Sequence, residues 1–301
     1  MRAIDGAALS GYYDYRLVTL SIAIAILAAY EALDLSGRMT VARGRARFAW
    51  LCAGSFAMGI GIWSMHYVGM EAFRLPVVER YDWPTVGLSI LAAILASAVA
   101  LFVVTRARLT MSAAAAGSVL MGGGIATMHY VGMHAMRLPA MCVYSHGIVV
   151  LSVFLGVIIS FVAIRLTFDM REQTSQWSWR KSRNALLMGL AIPVVHYVGM
   201  AGVTFFPAPL MDSRLRHAVS ISDLGLSGIA LGTLLILLAV FGIAAVDRRF
   251  SLDAMELKLS QERFQMMEEI NAGRDKVRIA EATGRAKGEF LANMSHRFVL
   301  P

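Results

Sequence analysis

Long apolar stretches dominate the chain up to about residue 246. A helix that crosses a bilayer needs ~20 mostly apolar residues. Seven stretches of about that length occur, at residues 17–33, 48–67, 85–104, 112–133, 147–168, 185–206 and 224–246. This pattern predicts an all-α membrane protein with seven transmembrane helices. The first stretch lacks a basic flank and a small-residue cleavage site, so we expect it to be retained as a helix.

Composition agrees with a membrane protein. The hydrophobic share is 57% and the charged share 16%, against roughly 45–50% and about 25% in soluble domains. These values exclude a soluble enzyme, a disordered protein and a disulfide scaffold. The net charge of +8 comes from basic residues between the apolar stretches. We therefore interpret these residues as orientation charges and predict no nucleic-acid partner.

Basic residues are unevenly divided between the two sides of the predicted membrane. Thirteen follow spans 1, 3, 5 and 7, whereas seven precede span 1 or follow spans 2, 4 and 6. Positively charged residues favour the cytoplasmic side. We therefore expect the N-terminus and the segments after spans 2, 4 and 6 outside, and the C-terminal segment in the cytoplasm.

A short sequence recurs at the outer ends of spans 2, 4 and 6. The copies at 65–70, 128–133 and 195–200 share His-Tyr-Val-Gly-Met, and their histidines are 63 and 67 residues apart. Each interval holds two spans and two loops. The repeat predicts a helical hairpin used three times, with a seventh helix added.

The repeated residues have metal-binding chemistry. In each copy the histidine and the last methionine lie four residues apart, one turn apart on the same helix face. Three parallel helices would bring three imidazoles and three thioethers to one level. Such soft ligands favour copper, especially Cu(I), whereas catalytic zinc often recruits a carboxylate, and Glu71 is the nearest one. The intervening glycine would let helices approach closely, and the tyrosine would lie at the interface.

Two alternatives stay open at this stage. The repeat is also consistent with packing of a repeated hairpin without metal, although polar residues inside membrane segments tend to be functional. Further donor residues follow the second copy: His134, Met136, Met141, Cys142 and His146. These form either an access path for metal or an ordinary loop, and the second interpretation is preferred.

The repeated motif in a seven-helix chain resembles the MHYT sensor domain of bacteria, over about residues 13–246. The resemblance implies an integral inner-membrane sensor that binds copper and through it detects oxygen, carbon monoxide or nitric oxide. It implies metal ligands at Met65, His66, Met70, Met128, His129, Met133, His196 and Met200. Val195 replaces the methionine that opens the other two copies, so one thioether of the family pattern is missing.

Residues 247–285 predict a cytoplasmic signalling helix. Apolar residues recur there at spacings of three, four and seven: Leu252, Met255, Leu259, Met266, Ile270 and Val277. This pattern is typical of a parallel coiled coil, so we expect a homodimer. Gly273 and Gly284 weaken the pattern, and a solvated helix without a partner is the alternative.

Residues 286–301 resemble the phosphoacceptor segment of sensor histidine kinases, with His296 at the acceptor position. The family continues Glu-Ile-Arg-Thr-Pro-Leu, but residues 297–301 read Arg-Phe-Val-Leu-Pro. We therefore expect a truncated two-component output that lacks an ATP-binding domain and does not phosphorylate itself. A separate kinase or response regulator is a candidate partner, although Arg297 argues against phosphate transfer to His296. Deleting one nucleotide from codons for the family motif reproduces these five residues. A frameshift thus stands beside a functional short form, and downstream genomic DNA would decide.

Three function classes follow from these patterns. In the leading hypothesis, a ligand or metal at the outer cluster shifts helix packing, and span 7 passes the shift to the dimeric cytoplasmic helix. Copper transport and a structural membrane anchor without metal are the alternatives. Few polar residues stand in the inner halves of spans 2, 4 and 6, which argues against a transport path.

Overall fold

The computed structural model describes residues 7–171, 179–209, 217–220 and 223–298. These residues belong to two compact units, Met1–Ala244 and Ala245–Pro301. The helices are α1 (Tyr15–Val41), α2 (Gly44–Glu71), α3 (Trp83–Val104), α4 (Met111–Ala135), α5 (His146–Met170), α6 (Trp179–Ala201) and α7 (Asp223–Phe298). In the described residues, seven helices are long and apolar enough to cross a membrane. The predicted all-α membrane fold is confirmed.

Local sequence sets where several helices begin. The Asp14 carboxylate accepts a hydrogen bond from the backbone N–H of Arg16 (3.0 Å), and Asp82 accepts one from Thr85 (3.2 Å). Thr110 caps α4 in the same way. Such caps satisfy backbone donors that have no partner within the helix. These caps fix the first turns of α1, α3 and α4.

Helices α1 to α6 form a closed ring. Each packs against the next in sequence, and α6 packs against α1. A Cβ atom at Gly59 of α2 would lie 2.6 Å from Ile94 Cα, and one at Gly122 of α4 would lie 2.7 Å from Val157 Cα. Gly189 of α6 takes the same place against α1. Small residues thus allow close helix approach. All three stand seven residues before a motif histidine, a spacing that could have revealed them.

Helix α7 lies outside this ring. Its Leu237 packs against Ala28 of α1 and Ala57 of α2. The helix is continuous from the predicted seventh span through the predicted signalling segment, and neither Gly273 nor Gly284 interrupts it. In the Ala245–Pro301 unit, the six apolar side chains predicted for a coiled coil are exposed. The homodimer stays a prediction, as does the role of His296, whose side chain lies outside the described residues.

Short strands join the ends of each hairpin. They are β1 (Tyr12–Tyr13), β2 (Phe73–Arg74), β3 (Arg80–Asp82), β4 (Met136–Arg137), β5 (Ala140–Tyr144), β6 (Val203–Pro207) and β7 (Ala218–Val219). β1 pairs with β2, β3 with β4, and β5 with β6, all antiparallel, and β7 pairs with β3. The first three pairs connect the strand before a hairpin to the strand after it. They fasten the ends of α2, α4 and α6 at one end of the bundle.

Two predicted span boundaries were wrong. Span 1 was predicted to end at residue 33, but α1 continues to Val41. Span 6 was predicted at 185–206, but α6 is Trp179–Ala201 and Phe206 lies on β6. Asp34 and Arg38 lowered the hydropathy after residue 33 and Lys181 lowered it before residue 185, although these three side chains are buried and paired. Residues 202–206 carry no charge and were taken into the span, but most of them form β6.

A buried ionic cluster links α1 to α6. Lys181 Nζ forms an ion pair with Asp34 Oδ1, and Arg38 Nε lies 3.2 Å from Asp34 Oδ2. Glu31 is buried on the same helix. Arg38 and Lys181 belong to the thirteen basic residues counted as orientation charges, but they neutralise Asp34 inside the bundle. The orientation itself stays a prediction.

The same cluster lies just before the predicted start of span 6, whose inner half is poor in polar groups as expected. Lys181 and Asn184, which precede that start, are both buried. Hydropathy along the sequence did not predict that these two residues are buried, because it counts a polar side chain as exposed whether or not a distant residue pairs with it.

Candidate metal centre

The three motif histidines meet inside the bundle. His66 comes from α2, His129 from α4 and His196 from α6, each five or six residues before its helix ends. They are 1%, 2% and 3% exposed. Among the described residues, they form the one group of three or more His, Cys, Asp or Glu side chains that could hold a metal, with ligand atoms within 4.8 Å of one another.

The imidazole nitrogens point to a common centre. His66 Nδ1 lies 2.9 Å from His196 Nδ1 and 3.2 Å from His129 Nδ1. The ring planes cross at 73°, 76° and 86°. Around an ion with metal–nitrogen bonds of about 2.0 Å, three such nitrogens would lie roughly 3.3–3.5 Å apart. Small outward movements of the rings therefore suffice to admit an ion.

Hydrogen bonding alone does not satisfy this cluster. The Nε2 atoms of all three histidines are buried without a hydrogen-bond partner among the described residues. A neutral imidazole has one donor and one acceptor nitrogen, and buried polar atoms normally have partners. With the proton of each ring on Nε2, three Nδ1 lone pairs face one another without a proton between them, and an ion at the centre would take all three at once. The fit to a metal therefore rests on the convergence of the Nδ1 atoms, since such an ion leaves the Nε2–H groups as they are.

Each histidine is seated on the motif glycine of another repeat. A Cβ atom at Gly69 would lie 2.6 Å from His196 Nε2. Gly132 opposes His66 and Gly199 opposes His129 even more closely. We expected these glycines to bring helix backbones together. They instead make room for an imidazole ring, so the three repeats interlock in a cycle.

The predicted thioether ligands form the surroundings of the histidines. Met65, Met70, Met128, Met133 and Met200 are all buried and belong to the main hydrophobic core, together with Val195. The structure therefore brings the three histidines together and places the methionines within the core. Ligation by any thioether stays a prediction.

Two motif tyrosines connect the site to the neighbouring helices. Tyr130 Oη lies 2.6 Å from Ser152 Oγ of α5, and Tyr197 Oη lies 2.8 Å from Ser21 Oγ of α1. Their rings pack edge-on against the adjacent histidines, with ring centroids 4.7 and 4.8 Å apart. Movement of His129 or His196 is thus coupled to α5 or α1.

The first repeat departs from this arrangement. Ser89 of α3 donates a hydrogen bond to the backbone oxygen of Met128 (3.0 Å). Tyr67 is 2% exposed and packs against Trp63 and Tyr81, and its place at the membrane interface stays a prediction. Sequence reasoning missed these serines, although Ser89 follows Tyr67 by 22 residues and Ser152 follows Tyr130 by the same number. That equal spacing was the available signal.

A carboxyl group near the histidine-bearing end of α2 has a pKa close to neutral pH. Glu79, in the loop before β3, accepts a hydrogen bond from Tyr81 Oη (3.4 Å). Burial, together with the nearby Glu71 carboxylate, raises the pKa of Glu79 from 4.5 to about 7. A pKa raised by folding means that the folded chain prefers the protonated acid.

This shift predicts a pH-dependent melting temperature. The stabilisation from protonated Glu79 is complete below pH 4.5 and is lost as pH rises through 7, since ionisation then opposes folding. We expect the detergent-solubilised protein to melt at a lower temperature at pH 8 than at pH 5. Glu79→Gln should reduce that difference. An equal pH dependence in both proteins would contradict the assignment.

Part of the ring matches a known family. Residues 59–117 and 122–178 match the MHYT family, described as "Bacterial signalling protein N terminal repeat". This part of the chain is an MHYT domain. The match covers the first two motif copies, and the third copy at 195–200 lies beyond it. The third copy supplies His196, so the cluster of three histidines includes a residue outside the matched part.

Relatives of the MHYT domain are signalling proteins. The bifunctional diguanylate cyclase/cyclic di-GMP phosphodiesterase MucR of Pseudomonas aeruginosa is 45% identical over 193 residues, which is 64% of this chain and 28% of MucR. The signaling protein YkoW of Bacillus subtilis is 32% identical over 269 residues, 85% of this chain and 32% of YkoW. The cyclic di-GMP phosphodiesterase NbdA of P. aeruginosa is 35% identical over 202 residues, 66% of this chain and 26% of NbdA.

The chain spans less than a third of the length of these curated relatives. No solved structure matches it. Together with the seven apolar helices, the similarities place the MHYT domain in a multi-pass membrane protein of the signalling class.

Proposed function

We propose that the MHYT domain is the sensory input of a bacterial inner-membrane signalling protein and holds one copper ion on His66, His129 and His196. The convergence of three buried Nδ1 atoms supports this proposal. Copper supplies a soft, redox-active centre that can take a small ligand such as oxygen, carbon monoxide or nitric oxide. Met65, Met70, Met128, Met133 and Met200 surround it with soft side chains.

The charge of the site favours a monovalent ion. The three described ligands are neutral imidazoles, and no Asp or Glu of the described residues belongs to the group. The cost of burying an ion grows with the square of its charge in a Born description. Without a carboxylate to offset it, a divalent ion is therefore penalised more than Cu(I). This supports copper over zinc.

The packing offers a route from the site to the seventh helix. Tyr197 follows His196 and contacts Ser21 of α1 through its hydroxyl. Further along α1, Ala28 packs against Leu237 of α7. If the six-helix ring has two arrangements and a ligand binds one of them more tightly, ligand binding would shift α1 and α7 together. We propose an outer N-terminus, a cytoplasmic tail and a homodimer that passes the change to a separate kinase or response regulator.

Transport is the second candidate, and the buried polar residues of α6 favour it. However, the eleven residues between Asn184 and His196 are all apolar, and the helix rises about 18 Å from Asn184 to His196 at 1.5 Å per residue. Along α6, an ion leaving the histidines would therefore meet no polar side chain before the inner cluster. The sensory function is better supported.

Metal content tests the proposed site. After washing, the detergent-solubilised protein is expected to retain about one copper per chain by mass spectrometry, because the ion satisfies three buried nitrogens. The triple variant His66→Ala, His129→Ala, His196→Ala should retain one copper fewer than the parent.

His146→Ala, which changes an exposed histidine of α5, is the matched control and should keep the copper of the parent. Absence of copper from the folded parent, after loading under both reducing and oxidising conditions, would overturn the proposal.

A further inference from the structure

A cavity of about 440 Å³ opens between the end of α4 and the β5–β6 pair. Five of its eleven lining residues carry sulfur or imidazole donors: Met133, His134, Met136, Met141 and Cys142. None of the eleven is Asp or Glu. This cavity is separate from the histidine centre, and His66, His129 and His196 do not line it.

The donor residues are concentrated well beyond their abundance in the chain. Methionine, histidine and cysteine number 19, 7 and 2 among 301 residues, yet they supply nearly half of the cavity wall. Thioether, thiol and imidazole ligands select soft monovalent metals, whereas hard cations such as magnesium or calcium require oxygen ligands. The cavity wall therefore favours a soft monovalent metal over a hard cation.

Secondary structure holds two of these donors on different strands, whereas Met141 is next to Cys142 on β5 and its side chain points to the opposite face of that strand. Met136 lies on β4, which pairs with β3, and Cys142 lies on β5 opposite Phe205 of β6. Met133 comes from the last turns of α4 and is buried in the core. It stands four residues after His129, so it belongs to both the cavity wall and the repeated motif.

The one basic side chain in the wall is already engaged. Arg137 Nη1 donates a hydrogen bond to the backbone oxygen of His134 (2.6 Å), and Nη2 lies 3.7 Å from Asp82 Oδ1. The Asp82 carboxylate offsets the guanidinium charge. A monovalent ion bound to the Cys142 thiolate would itself be neutral, so Arg137 does not exclude it.

We propose that this cavity is a second soft-metal site, which binds Cu(I) through Cys142 and Met136, with His134 at its rim. Binding is a ligand exchange without electron transfer: the Cys142 thiol loses its proton to solvent as the sulfur–metal bond forms. The site stands on its own donors. Only the further step, transfer past Met133 to His129, rests on the proposed function.

Alkylation in the presence of silver tests the site, because Ag(I) is a redox-stable analogue of Cu(I). Both cysteines are free and can be alkylated. Cys142 reports on the cavity, and Cys52, which lies on α2 away from the cavity, is the internal control. In the triple histidine variant, one equivalent of Ag(I) should slow N-ethylmaleimide modification of Cys142 at least tenfold and leave Cys52 unchanged. Equal rates at Cys142 with and without silver would overturn the proposal.

Stoichiometry separates the two sites. With saturating Cu(I), we expect two ions in the parent, and one each in the triple histidine variant and in Cys142→Ser/Met136→Leu. The matched control Cys52→Ser/Met111→Leu changes exposed residues elsewhere and should bind two. A cavity variant that still binds two ions overturns the second site. A triple histidine variant that still binds two overturns the histidine centre instead.

Discussion

Replacing Lys181 with methionine is expected to lower the free energy of unfolding by about 3–5 kcal/mol. Lys181 is 3% exposed and forms an ion pair with Asp34, which is 2% exposed. Methionine fills the volume but leaves part of the Asp34 charge uncompensated within the bundle. The measurement is denaturant unfolding in mixed detergent micelles.

Two comparisons distinguish charge pairing from packing at this position. The double variant Asp34→Asn/Lys181→Met should recover most of the lost stability, because it removes one charge of each sign and leaves Arg38 with Glu31. Arg278→Met breaks an exposed pair with Asp275 at 3.8 Å and should cost less than about 1 kcal/mol. Equal losses in the single and double variants would contradict the explanation.

Gly132→Ala is expected to weaken copper binding by about 1–3 kcal/mol, which is roughly a fivefold to 150-fold rise in Kd. The new Cβ atom would collide with the His66 ring and push Nδ1 away from the centre. Competition with a Cu(I) chelator measures the affinity.

Gly123→Ala is the matched control on the same helix, since its Cβ would meet nothing within 4 Å. It should leave copper affinity unchanged. A melting temperature adds a readout that does not depend on metal: Gly132→Ala should destabilise the metal-free protein, and adding His66→Ala should relieve the collision. Unchanged affinity and stability in Gly132→Ala would contradict the glycine seat.

The sequence carried the number of helices and the meeting of the histidines. Hydropathy detects a helix from its own residues, and a threefold repeat brings equivalent positions towards a common axis. His66, His129 and His196 were therefore predictable without knowing a single contact. The methionines share their spacing, but spacing does not decide between a ligand and a core side chain.

The remaining features depend on partners distant in the chain. From the sequence alone, Lys181 is predicted to be an exposed charge in a loop, because its partner Asp34 is 147 residues away. Strands of two to five residues leave no local pattern, since Tyr12 pairs with Arg74 across the whole first hairpin. The seating of His66 on Gly132 is a contact between repeats, which no single copy of the motif contains.

The closed ring of six helices leaves the seventh with a different task. A chain that crosses a bilayer an even number of times returns to the side where it started, so six helices could complete the histidine centre yet keep both ends on one face. α7 adds nothing to the ligand set and packs outside the ring. In the proposed topology, the seventh crossing takes the chain beyond residue 246 to the side opposite the loops that follow the motifs. The histidine centre uses the six-helix ring alone, and the proposed separation of stimulus from response depends on the seventh helix.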